Sequence, residues 1–199
     1  MYHRKTATKV KNGQVQRKNN WVQSPNMFYT YQNEILVDRE RAGKGYKHLL
    51  RKQDLYDFFE LIPDWNIVSE GLDGVFLGRG NTSSLGCYKH FVITISAWES
   101  EVVWPKVDGT FVEDHRSVLE GLNVQIQQNK DGSQRLEFTE ESAKAFQLIH
   151  VFMHELGHHV DRFSSRLKSH CGRGESFADD WARKHEQVIL ERYLAVNRL

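Results

Sequence analysis

Apolar residues recur every three or four positions in a segment that begins at Tyr46 and ends before Pro63. This spacing is typical of an amphipathic helix that packs one face against its neighbours. Pro63 predicts the end of the helix, because the residue before a proline is pushed out of the α region. The apolar positions are Leu49, Leu50, Leu55, Phe58, Phe59 and Ile62.

Segments rich in β-branched and aromatic residues follow this helix and predict strands. Residues 75–77 and 91–98 are predicted as two strands that flank a loop of glycine and serine. Alternating apolar and polar positions in residues 122–138, with a turn at 129–132, indicate a β-hairpin. Residues 99–120 have weak periodicity, so we predict no element there.

Two helices are predicted in the last third of the chain. Thr139 is a suitable N-cap for a helix from 140 to about 161, whose apolar side carries Ala143, Phe146, Ile149, Met153, Leu156 and Val160. Gly172 and Gly174 interrupt this pattern, and a final helix is predicted from about 175 to 197. This mixture of helices and strands, without internal repeats, predicts an α+β fold.

The composition suits one folded domain behind a basic N-terminal arm. The chain has 199 residues, of which 39% are hydrophobic, and a net charge of +1, which indicates neither nucleic acid nor a membrane as partner. Residues 1–33 nevertheless contain basic side chains and no acidic ones. We therefore predict a flexible arm there and a single domain over 34–199. The arm is either a solvated tail or a segment that contacts an acidic partner or nucleic acid.

No feature of the sequence indicates a membrane or a secretory route. The sequence has no apolar run of the length that a spanning helix needs, and its basic start is not followed by an apolar stretch. Two cysteines, Cys87 and Cys171, are too few for a disulfide framework. We therefore predict a cytoplasmic protein with reduced thiols, and a disulfide between the two is the alternative.

The segment His154-Glu155-x-x-His158 lies within the predicted helix 140–161. Positions four apart share a helix face, so both imidazoles can reach one metal ion. Zinc is the expected ion, because its catalytic sites combine neutral imidazole and other protein ligands with one water. Glu155 is placed beside that water position, where it can take a proton. The alternative is a pair of ordinary half-buried histidines on an amphipathic helix.

A catalytic zinc site needs a third ligand, and Glu175 at the start of the final helix is the first candidate. Its carboxylate completes a tetrahedral site with the two histidines and water. A carboxylate near a helix N-terminus is also stabilised without any metal. Asp179, one turn further, can accept the free N–H of a ligand histidine. His170 and Cys171 are competing third ligands.

The pattern His154-Glu155-x-x-His158 followed by Glu175-x-x-x-Asp179 resembles the gluzincin family of zinc metallopeptidases. This resemblance implies a zincin-like fold. Such a fold has a small twisted mixed sheet, a helix that bears the His-Glu-x-x-His motif and a C-terminal helix that bears the third ligand.

The resemblance is confined to residues 154–179, about an eighth of the chain, and it implies a role for each matching residue. Glu155 is implied to be the general base, Glu175 the third zinc ligand, and Asp179 the hydrogen-bond partner of a ligand histidine. Residues 91–98 are implied to form an edge strand that binds extended substrate by β-augmentation.

The implied function is zinc-dependent hydrolysis of peptide bonds in a peptide or protein. The metzincin pattern is absent, because Asp161 and Ser164 stand where that family has a Gly and a His. The main alternative is a regulatory or binding module with a structural or vestigial zinc site, closed by His170 or Cys171, whose basic arm engages a partner. A further alternative is hydrolysis of an amide other than a peptide bond.

Several other residues are assigned roles or left with alternatives. His150 and His159 are predicted as structural, and Asp161 either orients a ligand or caps a loop. A peptidase also needs a group that stabilises the developing oxyanion. Candidates for it are His170, Arg173, His185 and Tyr193. Three tryptophans are predicted as core anchors: Trp98, Trp104 and Trp181.

Overall fold

The computed structural model describes residues 10–11, 14–15, 27–164 and 172–197. Most of the predicted arm lies outside the described residues, as do His170 and Cys171. The described part of the chain has a mixed α+β fold, as the sequence predicted.

The elements follow one another along the chain as a mixture of short strands and helices. The strands are β1 (Val10–Lys11), β2 (Gln14–Val15), β3 (Leu36–Arg39), β4 (Tyr46–Lys47), β5 (Gly74–Gly78), β6 (Gly86–Lys89), β7 (Val92–Ser96), β8 (Trp98–Glu99), β9 (Val103–Val107), β10 (Gln125–Gln128) and β11 (Gln134–Glu137). The helices are α1 (Lys52–Phe59), α2 (Trp65–Val68), α3 (Gly109–Asp114), α4 (Arg116–Gly121), α5 (Glu140–Phe146), α6 (Met153–Ser164) and α7 (Gly174–Asn197). A π-helical segment, Gln147–Phe152, joins α5 to α6.

The four-stranded sheet has the order β3-β5-β7-β6. β3, β5 and β7 run parallel, and β6 pairs antiparallel with β7. β7 is therefore an inner strand, and the prediction of an edge strand over 91–98 is wrong. The edge strand is β6, whose first residue, Gly86, was predicted to belong to the loop of glycine and serine. β6 and β7 form a tight hairpin, in which Cys87 faces Thr94 across the turn at 90–91.

The smaller sheets include the predicted hairpin. β10 and β11 pair antiparallel, with Ile126 opposite Leu136, and β9 adds a third strand beside β11. Gly132 in the connecting turn has φ +85°, a left-handed conformation that glycine adopts without strain. Residues 99–120, which had no assignment, contain β9, α3 and α4. These elements are too short to produce a clear periodicity.

The first helix begins at a later residue in the structure than its apolar pattern predicted. α1 starts at Lys52, because the backbone N–H of Arg51 donates to Asp54 Oδ2 at 2.7 Å and caps the helix there. Residues 46–47 instead form β4, which pairs with β8. Leu50 lies before the helix and is nevertheless buried, so its apolar character reflects its burial and not a helical position.

The long helix predicted from 140 to about 161 is confirmed, with an unexpected π-helical middle. Thr139 Oγ1 accepts the backbone N–H of Ser142 at 3.0 Å and caps α5. In the π-helical segment, Gln147 is buried and its side-chain amide donates to the carbonyl of Ser96 in β7 at 2.8 Å. π-Helical turns are rare and are frequent at functional sites.

α6 and α7 cross with their backbones in contact at Gly157. A Cβ added to Gly157 would lie 2.9 Å from both the Cα and the carbonyl oxygen of Ala178. Both of these are backbone atoms, so a side chain at this position would push the helices apart. The close crossing places the first turn of α7 over the middle of α6.

Aromatic side chains fill the core between the sheets and helices. Trp98 is buried and stacks on Trp104 with 5.0 Å between ring centroids, while Trp181 packs against the core from α7. These contacts agree with the prediction of three core anchors. None of the helices in the described ranges has the length and apolar character to cross a membrane.

Candidate metal centre

Three side chains from α6 and α7 converge on one point at the floor of a cleft. His154 Nε2 lies 3.2 Å from His158 Nε2 and 3.2 Å from Glu175 Oε2. His158 Nε2 lies 3.4 Å from the same carboxylate oxygen. The two histidines come from one face of α6, as their spacing predicted, and Glu175 comes from the first turn of α7.

This triangle has the dimensions of a tetrahedral zinc site. Ligand atoms that surround zinc tetrahedrally at about 2.0–2.1 Å stand about 3.3–3.4 Å apart. The three observed separations are 3.2, 3.2 and 3.4 Å. Two imidazoles and one carboxylate are also the donor set that catalytic zinc uses. The residues present therefore fit this metal in both spacing and chemistry.

Asp179 orients the His154 ring by a hydrogen bond to Nδ1, the nitrogen that does not face the other ligand atoms. His154 Nδ1–H donates to Asp179 Oδ1 at 2.8 Å. A neutral imidazole with its proton on Nδ1 has a lone pair on Nε2, the atom that faces the centre. Asp179 thus selects the tautomer that can bind a metal, as the sequence predicted for its position one turn after Glu175.

Replacing Asp179 with alanine is expected to weaken zinc binding by about 10- to 100-fold, because the ligand histidine loses the partner that orients it. The measurement is a zinc titration of the metal-free protein against a competing chelator. Asp180→Ala is the matched control, since Asp180 is an exposed neighbour on the same helix turn. Equal zinc affinity in the two variants would contradict the orienting role of Asp179.

Asp161 anchors the start of α7 rather than orienting a ligand. Its side chain has no exposed surface, and it accepts the backbone N–H groups of Arg173 at 2.8 Å and Gly174 at 3.2 Å. Arg173 Nε adds an ion pair at 2.6 Å. Burial alone raises the pKa of Asp161, but the hydrogen bonds from these two residues hold it below its ordinary value. Of the two roles that the sequence left open, the loop cap is the observed one.

Glu155 is almost fully buried beside the ligand atoms, at 6% exposure. Burial, and next the negative charge of Glu175, raise the pKa of Glu155 to about 8, while the backbone N–H of Tyr88 favours the carboxylate. A cation among the ligand atoms would likewise favour the charged form. Glu155 is thus a buried carboxyl group that lines the same cleft as the three ligand residues.

The edge strand β6 passes close over Glu155 at Gly86. A Cβ on Gly86 would lie 2.8 Å from both Glu155 Oε1 and Val151 Cγ1, so only glycine permits this approach. Together β6, α6 and the start of α7 enclose a cleft of about 620 Å³. The cleft is lined by Ser84, Leu85, Gly86, Cys87, Tyr88, His150, Val151, His154, Glu155, His158, Gly174, Glu175 and Asp179.

The sequence did not indicate the cleft residues that β6 contributes. Gly86 and Tyr88 carry no motif, and the serines and glycines before them favoured a loop. Alternation in 86–89 is the signal that was available, but four residues are too few to distinguish a strand from a turn. Cys87 is an exposed free cysteine at the same edge, and Cys171 lies outside the described residues.

The residues considered for oxyanion stabilisation do not reach the cleft where they are described. Arg173 is held by the ion pair with the loop cap, and His185 donates from Nδ1 to a carbonyl of its own helix at 2.7 Å. Tyr193 is buried among core residues. His170 lies outside the described residues.

The two histidines predicted as structural differ in position. His159 is fully buried; its Nε2–H donates to the carbonyl of Glu70 at 3.0 Å, and its Nδ1 accepts the hydroxyl of Tyr88 at 3.1 Å. It therefore ties α6 to the sheet, as predicted. His150 is different, because it lines the cleft.

Comparison of the chain with protein-family models, curated proteins and solved structures gave no match. The functional interpretation therefore rests on the residues of the cleft and their geometry.

Proposed function

We propose that this protein is a zinc-dependent metallopeptidase of the gluzincin type with a zincin-like fold. The observation that carries the proposal is the triangle of ligand atoms, with separations of 3.2, 3.2 and 3.4 Å, beside a buried glutamate. His154, His158 and Glu175 would hold the zinc ion. When bound there, zinc would supply Lewis acidity that activates water and polarises a carbonyl.

The convergence of the three atoms supports a bound cation. His154 Nε2 presents a lone pair, because its proton is committed to Asp179 at Nδ1. A carboxylate oxygen of Glu175 lies 3.2 Å from this lone pair. Two electron-rich atoms so close together repel each other unless a positive charge lies between them. A shared proton or a metal cation satisfies this requirement, and a metal cation does so for all three ligand atoms at once, including His158 Nε2.

Glu155 is the residue proposed to move protons. Its carboxylate takes a proton from the attacking water while the water oxygen bonds to the amide carbon and the C=O π pair moves onto oxygen. When the C=O bond reforms, the C–N bond breaks and Glu155 gives the proton to the leaving nitrogen. The burial of Glu155 limits competition from solvent protons.

An extended peptide is the substrate that the edge strand suits. β6 forms the rim of the cleft and is the outer strand of its sheet. A peptide added beside it would form main-chain hydrogen bonds and would pass near Glu155 at Gly86, where the strand packs closely on this side chain. This placement supports a peptide or unfolded protein segment over a compact small amide.

Zinc content and chelation test the proposed function directly. Purified protein is expected to contain about one zinc per chain by mass spectrometry and to cleave an unstructured peptide library. Removal of the metal with 1,10-phenanthroline should abolish cleavage, and one equivalent of zinc should restore it. Cleavage that persists in the metal-free protein would refute the proposal, as would failure to bind zinc under any loading condition.

The alternative of a binding module with a structural zinc requires a fourth protein ligand. Among residues 27–164 and 172–197, the group that could hold a metal consists of the three side chains described above. The fourth position is left to water in the proposed function, and to His170 or Cys171, which lie outside these ranges, in the alternative. Zinc bound at one per chain without cleavage of any peptide would favour the module instead.

A further inference from the structure

His150 is a polar residue of the cleft that the proposed function leaves without a role. It lies one helical turn before His154, and the two ring centroids are 6.4 Å apart. Its ring packs edge to face on the ring of His115, with 4.2 Å between the ring centroids. The centroid of the Phe146 ring lies 4.9 Å away. These two contacts hold the imidazole in one orientation beside the ligand atoms.

The imidazole of His150 keeps an N–H donor for a ligand. Burial, and next the positive charges of His115 and His154 when protonated, lower the pKa of His150 to about 3. A neutral imidazole has one N–H donor and one acceptor. Within the described part of the chain, the contacts of His150 are with rings, and no hydrogen bond to its nitrogens is found. Ring packing, rather than a hydrogen bond, orients this donor in advance.

The two side-chain hydroxyls of the cleft wall are already engaged. The hydroxyl of Tyr88 donates to His159 Nδ1 at 3.1 Å, on the side away from the cleft. The hydroxyl of Ser84 donates to the carbonyl of Gly86 at 2.5 Å. Arg173, His185 and Tyr193, which the sequence offered as oxyanion-stabilising residues, do not reach the cleft. His150 is thus the side chain of the described cleft best placed to donate to a substrate.

We propose that His150 is a catalytic residue that donates a hydrogen bond to the carbonyl oxygen of the scissile amide as negative charge develops there. The inference rests on the proposed peptidase function. Water oxygen adds to the carbonyl carbon, its proton passes to Glu155, and the C=O π pair becomes the oxyanion that the His150 N–H stabilises. A donor fixed in place before the reaction stabilises such a charge without a cost of reorganisation.

Two variants separate donation from packing. His150→Leu keeps similar bulk without a donor, and His150→Gln keeps an N–H donor. His150→Leu is expected to lower kcat by about 100-fold with KM changed by less than about threefold, because the interaction forms only in the transition state. His150→Gln should recover at least about tenfold of that loss. Zinc content is measured in both variants and should equal that of the wild type.

A binding measurement gives a readout independent of turnover. A phosphinic peptide places tetrahedral oxygens where the oxyanion forms, and calorimetry on the zinc-loaded protein should show about 100-fold weaker binding to His150→Leu than to the wild type. A mercaptoacetyl peptide, which engages the metal through sulfur, is the control and should bind both proteins equally.

The outcomes distinguish this inference from the function on which it rests. Zinc-dependent cleavage with equal phosphinate affinity in wild type and His150→Leu would overturn the role of His150 alone. Arg183 is a neighbouring positive charge on α7. A lower kcat in Arg183→Gln, together with an unchanged kcat in His150→Leu, would also overturn the role of His150. A wild type that neither cleaves peptides nor binds the phosphinate in a zinc-dependent way would overturn both proposals.

Discussion

Replacing Glu155 with glutamine is expected to leave zinc in place and to lower peptide cleavage by about 10²- to 10⁴-fold. Glutamine has nearly the same shape, so the buried space beside β6 stays filled. It cannot accept the proton of the attacking water, however, because its amide is not basic. The measurement is kcat on the best peptide of the library, with zinc content determined on the same sample.

Glu141→Gln is the control for this variant, because Glu141 is an exposed glutamate in the first turn of α5, away from the cleft. It should retain wild-type zinc content and kcat. Cleavage by Glu155→Gln at more than about a tenth of the wild-type rate would refute the general-base role. Loss of zinc from Glu155→Gln would instead indicate that this carboxylate helps to hold the metal.

Replacing Glu175 with alanine is expected to weaken zinc binding by more than about 100-fold, beyond the loss expected for a partner that only orients a ligand. Two histidines alone cannot complete the coordination of zinc. Glu175 is 80% exposed as a side chain, so its removal leaves the core intact and should change thermal stability little in metal-free protein. Competitive zinc titration and a thermal melt of the metal-free protein test both parts.

Asp180→Ala serves again as the control, because it removes an exposed carboxylate from the same region of α7. Its zinc affinity should match that of the wild type. Unchanged affinity in Glu175→Ala would contradict the ligand assignment. The third ligand would then have to come from His170 or Cys171, in the segment before α7.

Features of the fold with a local cause could be predicted from the sequence. The helix that carries the motif has a regular apolar repeat and a threonine cap, and both act within a few residues of their own position. The hairpin around Gly132 is equally local. His154, Glu155 and His158 were singled out by the His-Glu-x-x-His motif, and the helical repeat predicted that both histidines share one face because four residues advance a helix by about one turn.

Features that depend on distant contacts could not be predicted. β6 pairs locally with β7, but it packs over the motif helix at Gly86 through Val151 and Glu155, and four residues carry no signature of that distant contact. The same reason explains the misplaced edge strand at 91–98. α1 begins late because Tyr46 and Lys47 pair with β8, a partner about fifty residues away.

The candidate site follows the same division. Glu175 and Asp179 were expected from a resemblance in spacing, and the structure brings them to the motif through the contact of Gly157 with Ala178. The loop-cap role of Asp161 depends on its hydrogen bonds with Arg173 and Gly174, twelve and thirteen residues further along the chain. The residue types alone did not distinguish this role from that of orienting a ligand. His150 was predicted as a structural histidine, with a role in the site as the alternative, and its ring lines the cleft.

The outer edge of β6 has a further consequence for the behaviour of the protein at high concentration. A strand edge that suits an extended peptide also suits the same strand of a second copy, and edge-to-edge pairing of this kind leads to self-association. β6 limits this risk in two ways: it is only four residues long, and it ends in the exposed Lys89. In a parallel pairing of two copies the Lys89 side chains would lie side by side and repel each other, whereas an uncharged peptide strand meets no such repulsion.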